Sequence, residues 1–287
     1  MLPPRRTLVG YDFTRAADSA LAHAIAWSGK RARVSLLYAE PVPYLLGLPT
    51  VALPGADLSS LRPIRDDLER IGRTAAKRAR VGIESRAVPG SPAAVIVDAA
   101  DRGAPDLVAV GAHGSRLRRA LLGSVAETVA REAKGPVLVA RGEPRTKAPI
   151  VVGIDLSAHS LGALKAAVAL GESLGAPVHA VCVLPPFGRS RSRSGDEDEP
   201  RRDAHARAGR ALERCRAKTS RDVDVSIREG EPAKELLAAA SALRAGLVVL
   251  ARRGLSPIER LLLGSIATRV LRRSEISVLV VPRARPR

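Results

Sequence analysis

The stretch Asp106-Leu-Val-Ala-Val-Gly-Ala-His-Gly114 joins a short apolar run to a glycine-rich turn, and the chain contains it in related form twice. Its counterpart, Gly246-Leu-Val-Val-Leu-Ala-Arg-Arg-Gly254, lies 140 positions later. Apolar runs without polar alternation are typical of strands buried on both faces of a parallel sheet, and glycine allows a tight turn afterwards. The stretch therefore predicts a buried parallel strand followed by a glycine-rich loop, in two copies.

The whole chain follows the same duplication. Gly90-Ser-Pro-Ala93 returns as Gly230-Glu-Pro-Ala233, and Leu121-Leu-Gly-Ser124 returns as Leu262-Leu-Gly-Ser265. Because this period is that of an entire domain, it indicates a tandem of two domains rather than a solenoid. The predicted domains are residues 1–143 and 146–287.

Within each copy, β-branched runs alternate with longer stretches of helical periodicity. This alternation predicts an α/β fold, with two open five-stranded parallel sheets that each carry helices on both faces. Thr14 and Ser157 are predicted to cap the first helix of each copy, and Pro92 and Pro232 to begin the third. The predicted strands are 7–11, 33–39, 83–88, 106–110 and 136–140, then 150–154, 177–183, 223–228, 246–250 and 277–281.

The copies differ most after their second strand. Copy one has an apolar, proline-rich loop over 41–54, which we expect to lead into a helix over about 58–80. In copy two, residues 189–200 combine alternating Arg and Ser with an acidic run, a composition typical of disorder. A variable surface loop and a phosphorylated regulatory segment are both compatible with that composition.

The charge balance favours a solvated basic surface over a specific nucleic-acid site. Lys and Arg outnumber Asp and Glu by 47 to 29, but aromatic residues make up only 2%, so stacking platforms for bases are scarce. We find no signal peptide and no apolar run of membrane-spanning length. Two cysteines cannot build a disulfide framework. We therefore expect a cytoplasmic protein without membrane or specific nucleic-acid partners.

The candidate site lies where each glycine-rich loop meets the next helix. Helix N-termini carry partial positive charge and unengaged amides, which suit a phosphate group. In copy one, Ser124 adds a hydroxyl donor, and the loop holds Arg116, Arg118 and Arg119. If the first and fourth strands are neighbours where the winding reverses, Asp12 lies beside the loop of copy one and Asp155 beside that of copy two.

At these residues the chain resembles the universal stress protein family, whose ATP-binding members carry G-x2-G-x9-G-[ST] after the fourth strand and an Asp after the first. The resemblance implies a Rossmann-like, adenine nucleotide alpha hydrolase-like fold. It implies an intrachain pseudo-dimer through the last strands, and it leaves a homo-oligomer open. The implied cofactor is ATP, with or without Mg²⁺. The matching positions are Asp12, Ala39, Gly111, Gly114, Gly123 and Ser124 in copy one, and Asp155, Val183, Gly254, Gly264 and Ser265 in copy two.

Each copy departs from the family pattern at one place. Eight residues instead of nine separate Gly114 from Gly123, and Ala251 replaces the first glycine of copy two. We hypothesise that the shorter loop displaces the following helix and that the methyl group of Ala251 obstructs the backbone's approach to a ligand.

No catalytic set and no metal site is predicted. Walker, G-x-S-x-G and H-E-x-x-H motifs are missing, and no Asp or Glu lies between Gly111 and Ser124. The favoured function is therefore a stress-response or regulatory protein that binds an adenine nucleotide in at least one domain without fast catalysis, and acts on an unidentified protein partner. The alternatives are a nucleotide-independent dimerising scaffold and a slow ATPase.

Overall fold

A computed structural model describes most of the chain, namely residues 3–29, 31–41, 44–45, 48–49, 61–79, 81–112, 122–186, 199–217, 219, 223–252 and 263–282. The chain divides into two compact units, Met1–Pro144 and Arg145–Arg287. Each unit has its own sheet, helices and buried core.

The first unit alternates strands and helices. Its elements are β1 (Arg6–Gly10), α1 (Arg15–Trp27), β2 (Arg33–Glu40), β3 (Tyr44–Leu45), β4 (Leu48–Pro49), α2 (Leu61–Ala79), β5 (Gly82–Pro89), α3 (Pro92–Gly103), β6 (Leu107–Gly111), α4 (Ser124–Glu132) and β7 (Val137–Ala140). The five long strands pair in parallel, in the order β5-β2-β1-β6-β7. The winding direction therefore reverses between β1 and β6.

The second unit repeats this topology. Its elements are β8 (Ile150–Ile154), α5 (Ala158–Leu174), β9 (Val178–Leu184), α6 (Glu199–Arg216), β10 (Asp224–Glu229), α7 (Pro232–Ala242), β11 (Leu247–Ala251), α8 (Ser265–Arg273) and β12 (Ser277–Val281). Its strands are also parallel, in the order β10-β9-β8-β11-β12, so β8 and β11 flank the reversal. The predicted α/β fold with two five-stranded parallel sheets is confirmed.

Right-handed crossovers set the layers of each unit. Since the chain moves outward from β1 through β2 to β5 and then returns to β6, α1 and α2 lie on one face of the sheet, and α3 and α4 on the other. The helices bury the sheet on both faces, so that Val108, Leu138 and Val139 have no exposed surface. Each such side chain stabilises the fold by about 1.5–3 kcal/mol relative to an exposed one.

The predicted caps are confirmed. The Thr14 hydroxyl accepts a hydrogen bond from the amide of Ala17 at 3.2 Å, and the Ser157 hydroxyl accepts one from Ser160 at 3.1 Å. Pro92 and Pro232 begin α3 and α7, where a missing N–H has no cost. The short side chains that precede each first helix therefore fix its starting point.

A buried histidine and the single tryptophan of the chain lie together on α1. The Nδ1 atom of His23 lies 2.8 Å from the carbonyl oxygen of Ser19, and its ring meets that of Trp27 edge-on at 5.8 Å. Burial lowers the pKa of His23, only partly opposed by the contact with Ser19 and by Glu143. His23 is therefore a neutral core residue at neutral pH.

The structure corrects the prediction for the loop over 41–54, and it describes only the end of the segment 189–200. The loop over 41–54 contains a short antiparallel hairpin formed by β3 and β4, which two-residue strands give too weak a periodicity to reveal. Residues 189–198 lie outside the described residues, but α6 begins at Glu199, so the last two residues of the segment predicted to be disordered are helical. None of the described helices is both long and apolar enough to span a membrane.

Candidate functional site

The structure brings the described candidate residues of the first unit to one cleft. This cleft has a volume of about 350 Å³ and lies at the carboxyl ends of β1 and β6, where the winding reverses. Its volume is in the range of about 300–1,000 Å³ that small-molecule sites occupy. Its lining includes five of the predicted site residues: Asp12, Ala39, Gly111, Gly123 and Ser124.

An equivalent cleft of about 280 Å³ lies at the same place in the second unit. Asp155, Val183, Gly264 and Ser265 line it, and so does Arg252, which corresponds to Ala112 of the first unit. The two remaining predicted positions, Gly114 and Gly254, lie outside the described residues, as does His113.

A glycine that sequence reasoning did not single out forms the floor of each cleft. A Cβ atom at Gly10 would lie 2.6 Å from the Cδ1 atom of Ile96 on α3, and one at Gly153 would lie 3.1 Å from the Cδ2 atom of Leu236 on α7. The helices α3 and α7 therefore approach their sheets closely at this point. The recurrence of glycine directly before Tyr11-Asp12 and Ile154-Asp155 was the available signal.

The two cleft aspartates also shape the turn from strand to helix. In the first unit the Oδ1 atom of Asp12 accepts hydrogen bonds from the amide of Thr14 at 3.2 Å and from its hydroxyl at 2.5 Å. In the second, the Oδ1 atom of Asp155 accepts one from the amide of Ser157 at 3.1 Å. One carboxylate oxygen is thus engaged, and the described residues offer no hydrogen bond to Oδ2 of Asp12.

The glycine-rich loops of both units are closed at the base by equivalent hydrogen bonds. The Ala112 carbonyl accepts from the amide of Gly123 at 2.7 Å, and the Arg252 carbonyl accepts from the amide of Gly264 at 2.9 Å. Gly123 and Gly264 also have nearly the same backbone angles, φ −71°, ψ 149° and φ −57°, ψ 145°. The missing residue of the first loop therefore does not displace α4, contrary to our hypothesis.

Both helices that begin at these loops have a glycine as N-cap. Gly123 and Gly264 provide no side-chain oxygen for the first amides of α4 and α8, whereas Thr14 and Ser157 provide one for α1 and α5. Unengaged N–H groups at a helix start attract anions, because they add donors to the positive end of the helix dipole. The cleft wall is therefore suited to a negatively charged group.

Packing against α1 explains why the first unit has a glycine at position 111, where the second unit has Ala251. A Cβ atom at Gly111 would lie 2.5 Å from the carbonyl carbon of Ala16 on α1. That helix covers the opposite sheet face from α3 and α4, whose residues line the cleft. In the first unit the side chain at this position is therefore directed towards α1 and away from the cleft. Ala251 itself lines the second cleft, so the hypothesis that its methyl group obstructs a ligand stays a prediction.

Three of the chain's six aromatic residues adjoin the first cleft, which the sequence analysis missed. Phe13 meets the rings of Tyr11 and Tyr38 at 5.5 and 5.4 Å. Burial, then the hydrogen bond to Glu40, raises the pKa of Tyr38 to about 12. Burial also raises the pKa of Tyr11, whose hydroxyl donates to Asp18 at 2.5 Å. Both hydroxyls therefore stay protonated and act as donors.

Backbone strain recurs at equivalent positions beside the two clefts. Phe13 has φ 60° and Leu156 has φ 66°, in the left-handed region that bulky side chains rarely adopt. Their side chains are 41% and 40% exposed, although both are large and apolar. Since strained residues cluster at functional sites, the repetition of this strain in both units marks the turn after each aspartate.

The histidines and acidic residues do not form a metal centre in the described part of the chain. There, no group of three or more His, Cys, Asp or Glu side chains is placed to hold a metal ion. His179 lies 3.0 Å from the Ser226 hydroxyl and Cys182 is buried, so both side chains belong to the packing of the second unit.

Each unit is thus an open parallel α/β sandwich with a cleft at its switch point, and known proteins share this arrangement. Residues 4–141 and 148–282 each match the family model described as the universal stress protein family. A universal stress protein of Methanocaldococcus jannaschii is 30% identical over 136 residues, which cover 46% of this chain and 80% of that protein. One of Mycolicibacterium smegmatis is 31% identical over 214 residues, or 69% and 67% of the two chains.

A solved universal stress protein from Archaeoglobus fulgidus has the same fold along the chain. It superposes with a TM-score of 0.68 at 20% sequence identity, and the alignment covers 98% of this chain and 97% of that one. The chain belongs to the universal stress protein family and contains two of its domains in tandem.

Proposed function

We propose that the chain binds an adenine nucleotide, ATP in particular, in at least one of its two clefts. The observation that carries this proposal is the meeting, in one cleft, of an aspartate after the first strand and a helix start without a side-chain cap. The arrangement occurs twice, with Asp12 and Gly123 in one unit and Asp155 and Gly264 in the other. It unites an acceptor for hydroxyl or amine hydrogens with donors for phosphate.

Each part of the nucleotide has a matching part of the cleft. The amides at the start of α4, with the Ser124 hydroxyl, suit the phosphates. Asp12 has an oxygen that its turn does not use, so it can accept hydrogen bonds from ribose or base. Ala39 lies at the end of the neighbouring strand β2, where its backbone can border the base. All these residues belong to one unit, so the proposed site needs no second chain.

The proposed role is binding rather than fast turnover. Phosphoryl transfer needs an acidic metal ligand and a group that positions the nucleophile, and no Asp or Glu lies between Gly111 and Ser124. Any Mg²⁺ that accompanies ATP would be held by phosphate oxygens and water. We propose that the nucleotide acts as a regulatory ligand in the cytoplasm, and that its binding alters which protein partner the chain engages.

Nucleotide analysis of freshly purified protein tests the proposal. We expect chromatography of the denatured protein to release adenine nucleotide, and calorimetry of emptied protein to show ATP binding tighter than GTP binding. A chain that purifies empty and takes up no added ATP with Mg²⁺ would contradict the proposal and favour the nucleotide-independent scaffold. ATP turnover at a rate typical of enzymes, on the order of 1 s⁻¹ or more, would favour the ATPase instead.

A further inference from the structure

The first unit has a second cavity, of about 850 Å³, along the sheet face on which α3 lies. Residues of β1, β2, β5 and α3 line it, and four of them are arginines: Arg6, Arg33, Arg86 and Arg102. We call this cavity the arginine groove. It lies beside the proposed nucleotide cleft, and none of the described residues predicted to bind nucleotide lines it.

Two of these arginines are direct cross-strand neighbours. Arg6 of β1 lies opposite Arg33 of β2 in the parallel register. Like charges at neighbouring positions of two paired strands repel each other. The pairing of these strands therefore brings two positive charges together at a cost, which a bound anion would offset.

The four arginines differ in whether their guanidinium groups form hydrogen bonds or ion pairs within the protein. The guanidinium of Arg6 donates to the carbonyls of Gly103 and Ala104 at 3.2 and 2.8 Å, and Arg102 forms an ion pair with Asp98. By contrast, the guanidinium groups of Arg33 and Arg86 make no ion pair or hydrogen bond with any described residue. Both side chains belong to exposed residues of the sheet face and remain available to a ligand.

The second unit serves as an internal comparison, because it has the same fold without this charge. By the strand register, Pro177 stands at the position of Arg33 and Ser226 at that of Arg86. Ala242 lies 140 positions after Arg102, at the equivalent place in the repeat. Ser226 is hydrogen-bonded to His179 there. The arginines of the first unit are therefore not required by the packing of this fold.

The chemistry and dimensions of the groove indicate its ligand. Guanidinium groups match phosphate in geometry and bind it through paired hydrogen bonds. In the register, Arg33 and Arg86 lie four residues apart along the strand direction, or about 13 Å, a separation that a ligand with several linked phosphate groups can span between the two side chains. Among the residues that the structure describes, no aromatic side chain lines the groove, so these residues offer bases no stacking platform. The volume is that of a small-molecule site.

We propose that the arginine groove binds a small ligand that carries several phosphate groups, separately from any nucleotide in the cleft. Glu84 lies between the two available arginines, since it pairs with Ser35 while Arg86 pairs with Leu37. Its carboxylate limits the affinity and favours a ligand with a higher charge than a single phosphate.

Calorimetry of the full chain with inorganic tripolyphosphate tests this proposal. We expect the wild-type protein to bind tripolyphosphate. The double variant Arg33→Gln/Arg86→Gln should bind at least about tenfold more weakly, because it loses the charge-assisted hydrogen bonds of two guanidinium groups. Glu84→Gln should bind about threefold or more tightly, a gain that misfolding cannot imitate.

The matched control removes the same charge elsewhere. Arg62→Gln/Arg65→Gln, on the exposed side of α2 on the opposite sheet face, should leave the affinity within about twofold of the wild type. An equal loss of affinity for tripolyphosphate in this control would show that binding depends on the net charge of the protein and not on the groove. Loss of tripolyphosphate binding in the cleft variant Ser124→Glu/Ser265→Glu, which keeps Arg33 and Arg86, would place the ligand in the clefts. Binding of single-stranded DNA, but not tripolyphosphate, through Arg33 and Arg86 would make the groove a nucleic-acid surface. Each of these three results overturns the proposal.

Discussion

The carbonyl oxygen of Ala112 accepts a hydrogen bond from the amide of Gly123 at 2.7 Å, so the loop between them leaves and returns at one point. Ala112 is itself fixed to the last strand, since its amide donates to the carbonyl of Ala140 at 3.1 Å. The start of α4 is therefore held by the sheet and not by the length of the loop. The same pair of bonds holds α8 through Arg252.

This arrangement leads to a prediction that distinguishes the two clefts. Ser124→Glu places a carboxylate among the first amides of α4, where it competes with phosphate. We expect ATP affinity in the first unit to fall at least about tenfold. Thermal stability should be kept or rise, because an acidic residue at a helix start contributes about 0.3–1 kcal/mol.

Ser265→Glu is the matched variant in the second unit. Calorimetric stoichiometry of the two variants and of the double variant shows which cleft holds the nucleotide. Full ATP binding by the double variant would mean that the helix starts do not contact phosphate.

Asp12→Asn tests the second half of the proposed site. The amide oxygen of Asn still accepts a hydrogen bond from Thr14, so the turn is kept, while the negative charge is lost. We expect the affinity for ATP to fall about tenfold in the first unit, since hydrogen bonds to charged groups contribute about 1.5–3 kcal/mol. The melting temperature should change little. Asp155→Asn is the counterpart, and unchanged affinity in both variants would place the ligand away from the aspartates.

Gly111→Ala tests the packing explanation for the glycine that the second unit lacks. The new methyl group would lie 2.5 Å from the backbone of Ala16, so we expect the free energy of unfolding to fall by about 1–3 kcal/mol. Denaturant titration measures this change. Gly103→Ala is the control, because a Cβ atom there meets nothing within 4 Å. Equal stability of the two variants would show that α1 shifts to accommodate the new methyl group.

The lowered pKa of His23 predicts that the stability of the protein depends on pH. Burial lowers its pKa below the unfolded value of 6.5, so the unfolded chain binds the proton more readily than the folded one. The stability that neutral His23 contributes is therefore present above about pH 6.5 and is lost as the pH falls further. We expect the melting temperature to drop between about pH 7.5 and pH 5.5.

The variant His23→Leu should reduce the slope of that drop. His179, whose pKa is also lowered by burial, provides the comparison in the second unit through His179→Gln. We expect a smaller reduction from His179, because it is less buried than His23. A slope unchanged by both substitutions would assign the dependence to other groups.

Leu156→Asn addresses the strained turns. Asn adopts the left-handed backbone more readily than Leu, and Leu156 has φ 66° with a 40% exposed side chain. We expect the free energy of unfolding to rise by about 0.5–1 kcal/mol. Leu243→Asn, at a right-handed position with φ −82°, should give no such gain. Destabilisation at position 156 would show that its side chain contacts outweigh the strain.

Much of the fold was predictable because strands that are buried on both faces of a sheet have continuous apolar sequences. The apolar runs of β6 and β11 and the caps Thr14 and Ser157 are local signals, and the structure confirms them. The meeting of Asp12 with Gly123 was predictable for a different reason. The duplicated sequence repeats both, and the winding rule for parallel sheets places them at one edge.

Other features depend on contacts that no local pattern reveals. Gly111 lines the cleft as predicted, but the sequence pattern does not reveal that Ala16 of a distant helix also approaches it closely. The opposition of Arg6 and Arg33 depends on the register between two strands. The left-handed backbone at Phe13 goes against the preference of its own side chain, so propensity predicts the opposite.

Trp27, which packs against His23 in the first unit, has a position with a practical consequence. The chain has one tryptophan and three tyrosines, and all four lie in the first unit. Intrinsic fluorescence is therefore a signal from one half of the duplication, while far-ultraviolet circular dichroism sums over both. Comparing the two during unfolding resolves whether the tandem domains melt together or in sequence, without cutting the chain or attaching a label.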